Sequence, residues 1–221
     1  MGLKTKTTNV VYLTISKDEL ATRVKEATET SVSRILEKGN NAGNTIHEEK
    51  YGSVEGRLIG LYRKESKVSF QPHPLETLEI ILQDEDGLNF QLSMNFSSSH
   101  TKSFITRVEN LDLDKDFEIT PYWIKGDDDK FRGYVGLKQY GDKVNPRYSK
   151  DLKNIPEVKQ VRVGKNTHYD DEELLAFYVA IIDKLQDDLK IHAPKAERIP
   201  ADDEQPENTT EDSEDGNKKE F

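Results

Sequence analysis

Apolar and polar residues alternate in short runs along most of the chain, with the period of two that sends successive side chains to opposite faces of a strand. Asn9 to Ser16 (NVVYLTIS) is β-branched and aromatic, and predicts a strand. Between residues 18 and 38, Leu20, Val24, Val32, Ile35 and Leu36 fit a helix face, but TETSVS in their midst favours extended chain or a turn. Both assignments stay open there, and GNNAGNT after it is a loop by composition. Val54 to Lys64 (VEGRLIGLYRK) predicts a long strand whose interior Gly56 and Gly60 mark a bulge or bend. After the connection QPHP come two strands, Leu78 to Gln83 and Leu88 to Phe96, joined by the hairpin turn DEDG. The period then changes over residues 97–111, where Phe104, Ile105 and Val108 share one side of a helix. Asp116 to Lys125 and Phe131 to Tyr140 are strands around GDDD, with Pro121 tolerable only at an edge or bulge.

The order from residue 51 is therefore three strands, a helix and two strands. That order predicts a mainly β chain built on a β-barrel of the OB-fold type, with the helix between strands three and four. A basic connection follows, and then a C-terminal helix from Asp171 to Lys190. Asp170 and Glu173 stand at capping-box spacing for it. Leu174, Phe177, Tyr178, Ile181, Ile182, Leu185 and Leu189 form its apolar face, which must be covered by the barrel or by a second copy in a homodimer. The expected division is an N-terminal extension (1–50), an OB-fold nucleic-acid-binding core (51–165), the amphipathic helix region (166–196) and a disordered acidic tail (197–221).

Composition narrows the chemistry. The chain has no cysteine, which removes disulfides and thiolate chemistry, and no apolar run nears the roughly 20 residues that span a bilayer. The expectation is a cytoplasmic protein. The five histidines are scattered, and no phosphate-binding glycine loop, zinc-protease or nucleophile-elbow motif is present. Asp112, Asp114 and Asp116 open like a calcium loop, but Phe117 stands where that loop needs glycine. Asp127 to Asp129 reads as a solvated turn, and Ser99-x-x-Lys102 as a chance match. The chain reads as a non-enzyme without a cofactor.

Charge is unevenly spread. The net −10 divides into −7 over residues 201–221 (nine acids, two lysines) and −3 over the rest, while residues 130–165 hold ten bases against three acids, a local +7. Aromatic and basic side chains interleave where the positive stretch begins: Tyr122, Trp123, Lys125, Arg132, Tyr134, Lys138, Tyr140, Lys143, Arg147 and Tyr148. Single-stranded nucleic acid needs both chemistries, cations along the phosphates and flat rings under the bases. Alternation places Phe131, Gly133, Val135 and Leu137 on one face, the expected core. Arg132, Tyr134, Gly136, Lys138 and Tyr140 fall on the other. In the preceding strand Phe117 and Ile119 share one parity and Tyr122 takes the other, while Pro121 leaves the register of Trp123 open. In the first barrel strand Arg57, Ile59 and Leu61 oppose Leu58, Gly60 and Tyr62; Arg57, and Arg63 and Lys64 near the strand's end, are candidates to reach phosphate.

The tail, PADDEQPENTTEDSEDGNKKEF, has too much charge and too little apolar content to fold alone. Its acidic run and final Phe221, placed after the barrel order, resemble the layout of bacterial single-stranded DNA-binding proteins and of phage proteins with the same organisation. The bacterial ending is acids and then Ile-Pro-Phe; Glu220-Phe221 without Ile-Pro is more similar to the phage form. The resemblance implies sequence-tolerant coating of single-stranded DNA in replication or recombination. It also implies a tail whose Phe221 enters an apolar pocket on a replication protein (polymerase, helicase or primase) while Asp212, Glu214, Asp215 and Glu220 meet a basic rim. The charge counts add that a −7 tail can occupy the positive groove until DNA displaces it. Two rivals remain: a protein-interaction OB-fold without DNA contact, and a nucleic-acid-processing enzyme using dispersed carboxylates such as Asp127 and Asp129.

Overall fold

The alternating strands pair into one large sheet. The computed structural model describes residues 10–37, 42–66, 75–126, 129–152, 154–163 and 166–192. The elements are β1 (Val10–Ser16), β2 (Glu19–Val24), β3 (Val32–Ile35), β4 (Thr45–Tyr51), β5 (Val54–Ser66), β6 (Leu75–Gln83), β7 (Asn89–Asn95), α1 (Ser99–Val108), β8 (Phe117–Lys125), β9 (Phe131–Gln139), β10 (Asp142–Lys143), β11 (Lys159–Val163), β12 (Asn166–Asp170) and α2 (Glu172–His192). Ten of the strands form a sheet in the order β10-β9-β8-β5-β6-β7-β1-β2-β4-β3, and β11 pairs with β12 apart from it.

The expected succession β5, β6, β7, α1, β8, β9 is present, but the sheet does not close among the described residues. The free edge of β7 is taken by β1, which runs parallel to it from Val10 opposite Asn89 to Thr14 opposite Ser93. The segment expected as an extension thus continues the sheet. The ambiguous stretch after it resolves into β2 and β3, not a helix, and both pair with β4. There Arg34 grips the buried carboxylate of Glu48 through two hydrogen bonds of 2.9 and 2.8 Å.

The bulge falls where the glycines placed it, with a finer consequence. Leu58 faces Leu82 and Gly60 faces Ile81, so Ile59 is the extra residue. Leu58 and Leu61 are consequently both buried, which corrects the alternation that had set them on opposite faces. Pro121 lies inside β8 without shifting it. β8 pairs with β5 only as far as Ile119, so at Pro121 one edge is unpaired and the missing N–H costs no ladder bond.

The core lies on one face of this sheet, under the helices. Leu61, Ile80, Leu92, Phe104, Ile119, Leu137 and Ile182 are all buried there. α1 is capped by the side chain of Ser98, which accepts from the Thr101 N–H, and it packs on β9. Ser103 fixes the spacing, since its Oγ accepts from the Val135 N–H at 2.8 Å and donates to the His100 carbonyl at 2.9 Å. α2 covers the edge of β5 that β8 leaves unpaired, and Gln186 donates to the Leu61 carbonyl there at 2.7 Å. Leu174, Tyr178, Ile181, Ile182, Leu185 and Leu189 are buried within the chain, and burial pushes the Tyr178 hydroxyl up to about 12. The apolar face that offered a homodimer contact is therefore covered by the protein itself. Asp170 accepts from the Glu172 N–H as a cap, whereas Glu173 bonds Lys159 rather than closing a capping box.

Candidate nucleic-acid interface

The face of the sheet away from the core carries the side chains that matter. On β9 it presents Arg132, Tyr134, Gly136 and Lys138, and on β8 their partners Ile124, Tyr122, Thr120 and Glu118. Tyr122 and Tyr134 face each other across the pair with ring centroids 5.8 Å apart and planes 25° from parallel, a stacked arrangement. The hairpin after β9 sets Lys143 opposite Lys138, which places both on the same face. Lys138 reaches Glu118 at 3.2 Å. The Glu118 carboxyl is held below its usual range by hydrogen bonds from Ser53 and Lys138. One end of this face thus holds a tyrosine pair bordered by Arg132, Lys138 and Lys143.

Apart from Lys64, the other residues expected at the site lie elsewhere, each for a local reason. Tyr140 was placed in the outward row of β9, but it begins the two-residue turn Tyr140–Gly141, with φ of 55° and 82°. Positive φ at both positions is the hairpin turn that matches strand twist, and it takes Tyr140 out of register; its hydroxyl donates to Asp112 at 3.0 Å. Arg147 and Tyr148 bind α1 instead of the outer face, their N–H groups reaching the Thr106 carbonyl. Tyr148 donates to Glu109 and meets the Phe177 ring edge-on, while Arg147 lies 3.6 Å from Glu109. Burial alone would push Glu109 up, but hydrogen bonds from Lys184 and Tyr148 and the charges of Lys184 and Arg147 bring it below the usual carboxylate range.

Arg57 lines a cleft of about 380 Å³ among Asp84, Glu85 and Asp116, surroundings that repel phosphate. Arg63 stands opposite Leu78 on the core side, exposed, with its guanidinium 5.9 Å from the centre of the Phe96 ring. Lys64, opposite Thr77, is on the outer face. Trp123 and Lys125 keep the inward parity of Ile119, and Lys125 pairs with Asp129 at 2.7 Å. Phe131 was expected in the core and is 59% exposed, because β9 runs on past the layer that α1 covers. Asp127, Asp212, Glu214, Asp215, Glu220 and Phe221 lie outside the described residues.

Two aromatic residues were missed. Tyr62 and Tyr12 are exposed on the same outer face, linked through the partners Gly60, Ile81 and Gln91. The Tyr62 ring lies against Gly60, where a Cβ would come within 2.8 Å of it. Alternation hid Tyr62 because the bulge at Ile59 reverses the parity beyond it. Nothing local marks Tyr12, whose face is fixed by β7, far along the chain.

No protein-family profile matches the chain, and comparison with curated proteins and with solved structures finds no match.

Proposed function

We propose that this protein binds single-stranded DNA without reading its sequence, in replication or recombination, and has no catalytic role of its own. The observation that carries this is the stacked Tyr122–Tyr134 pair on an open sheet face, bordered by Arg132, Lys138 and Lys143. Bases stack on the rings whatever their identity, and the cations follow the phosphates. Tyr62, Lys64 and Tyr12 lengthen the track across the sheet. The neighbours β9-β8-β5-β6-β7, with α1 between the third and fourth barrel strands, support an OB-type barrel opened beside β7, its seam occupied by β1. In the same reading the acidic segment 201–221 competes for the cations and offers Phe221, with Asp212, Glu214, Asp215 and Glu220, to a replication protein.

Fluorescence anisotropy of labelled oligo(dT) and of a duplex, with and without magnesium, tests it. Wild-type protein should hold the single strand and release the duplex. At about 1–3 kcal/mol per stacked base, Tyr122→Ala with Tyr134→Ala should weaken binding roughly thirtyfold or more. Wild-type affinity in that folded double variant would refute the assignment of the face. Cleavage that needs magnesium would favour the processing enzyme instead.

A further inference from the structure

We infer that the β8–β9 hairpin takes nucleobases on both of its faces, with Trp123 and Phe131 forming a second stacking station behind Tyr122 and Tyr134. The inference rests on the reading of the hairpin as a single-strand site.

The end of the hairpin concentrates exposed apolar surface: Trp123 is 42% exposed, Ile124 50% and Phe131 59%. A soluble surface rarely clusters large apolar groups without a partner. Ile124 faces Arg132 on the outer side, while Trp123, opposite Gly133, and Phe131, opposite Lys125, lie on the inner side. The Trp123–Phe131 centroids are 6.2 Å apart with planes tilted by 43°, so neither ring covers the face of the other.

The polar atom of Trp123 is already used. Its Nε1–H donates to the carbonyl of Lys17, in the β1–β2 turn, where the backbone has a φ of 62°. What Trp123 leaves exposed is ring surface without a hydrogen-bonding demand, the chemistry that accepts any base by stacking. An aliphatic partner would not need flat rings held at their edges.

The two stations are continuous. The Ile124–Arg132 pair lies between Tyr122–Tyr134 and the hairpin end, so a strand leaving the tyrosines passes Arg132 before turning onto Phe131. Lys125 and Lys130 flank that turn; Asp129 holds Lys125, and a phosphate arriving there exchanges one anion for another.

Trp123 is the chain's one tryptophan, so its emission reports on this face alone. Full-length protein is titrated with labelled (dT)20 while anisotropy and tryptophan emission are followed together. Emission should be quenched in step with binding, and Phe131→Ala should weaken binding about fivefold or more with unchanged circular dichroism. Both results are required. Unchanged emission at saturation, or wild-type affinity in Phe131→Ala, overturns the second station. If Tyr122→Ala with Tyr134→Ala still loses affinity in that case, the outer face survives and only the inner one falls. If wild-type protein binds no oligonucleotide, the parent reading fails and takes this one with it.

Discussion

Gly133→Ala tests the joint that holds β9, and with it Tyr134 and Arg132, against α1. A Cβ at residue 133 would lie 2.2 Å from Nε2 and 2.3 Å from Cε1 of His100. Carbon contacts prefer about 3.5–4.0 Å, so the imidazole would have to retreat by roughly 1.5 Å. Ser103 ties the His100 carbonyl and the Val135 N–H together at 2.9 and 2.8 Å, so the helix backbone stays put and the ring must turn about its own side-chain torsions. The cost is that of overpacking, about 1–3 kcal/mol. His100→Ala removes the obstructing ring together with an Nε2 that is buried without a hydrogen-bond partner. The double variant should therefore be more stable than the sum of the single losses by about 2 kcal/mol. Urea unfolding of the four proteins at pH 7 measures this. Gly133→Ala within about 0.5 kcal/mol of wild type, or additive losses in the double variant, would refute the packing argument. A pH series supplies a second readout. Burial lowers the pKa of His100, so the unfolded chain takes up a proton that the folded one resists. The stability tied to neutral His100 is complete above the ordinary value of about 6.5 and is lost as pH falls through the lowered one. His100→Ala should remove that part of the pH dependence.

Two further outcomes are expected. Glu109→Gln should loosen α2, since its carboxylate is only 5% exposed and accepts from Tyr148 and from Lys184, the latter at 2.6 Å. With two of its charged partners largely in solvent the loss should be about 1–2 kcal/mol by urea unfolding at pH 7, and an unchanged midpoint would count against it. Because the folded Glu109 pKa lies below the ordinary carboxylate value of about 4.3, this stabilisation is present above that pH and fades below it, and the variant should lack the acid-side loss. Deleting residues 201–221 should tighten oligo(dT) binding most at low salt, where charge competition is least screened; equal affinity at every salt concentration would remove the tail from the groove.

Much of the fold was legible because the pattern is local. The β6–β7 hairpin, α1, and the inward set Val135 and Leu137 follow from alternation and turn chemistry, and the structure places them there. What failed depends on contacts distant in sequence. β1 closes over β7 by a parallel pairing that no short window carries, and β4 follows directly on the loop GNNAGNT with no strand expected there. One inserted residue at Ile59 reversed the face of Tyr62. On the outer face, Tyr122, Arg132, Tyr134 and Lys138 lie where the period of two puts them, and Lys143 joins them through its pairing with Lys138. Tyr140, Arg147 and Tyr148 were grouped by proximity in sequence, and the Tyr140–Gly141 turn and the return of the chain over α1 separate them from the face.

The same separation alters the electrostatic argument. A charge of +7 over residues 130–165 is a count along the chain, and among the described residues the fold does not gather its cations into one patch. Arg147 answers Glu109 beside α2, Lys159 answers Glu173 at the start of that helix, and Lys138 is shared with Glu118. Among the described residues of that stretch, Arg132, Lys138 and Lys143 are the cations that border the tyrosine pair. A groove with so few cations gains little from counterion release, so in the proposed function ring stacking must supply most of the affinity. The acidic segment, which carries charge and a single phenylalanine but no run of rings, can compete for the cations yet cannot replace the stacked bases. Under the proposed function, a competitor of that kind would weaken the first encounter and yield once bases are seated, as a strand-coating protein with a partner-binding tail would require.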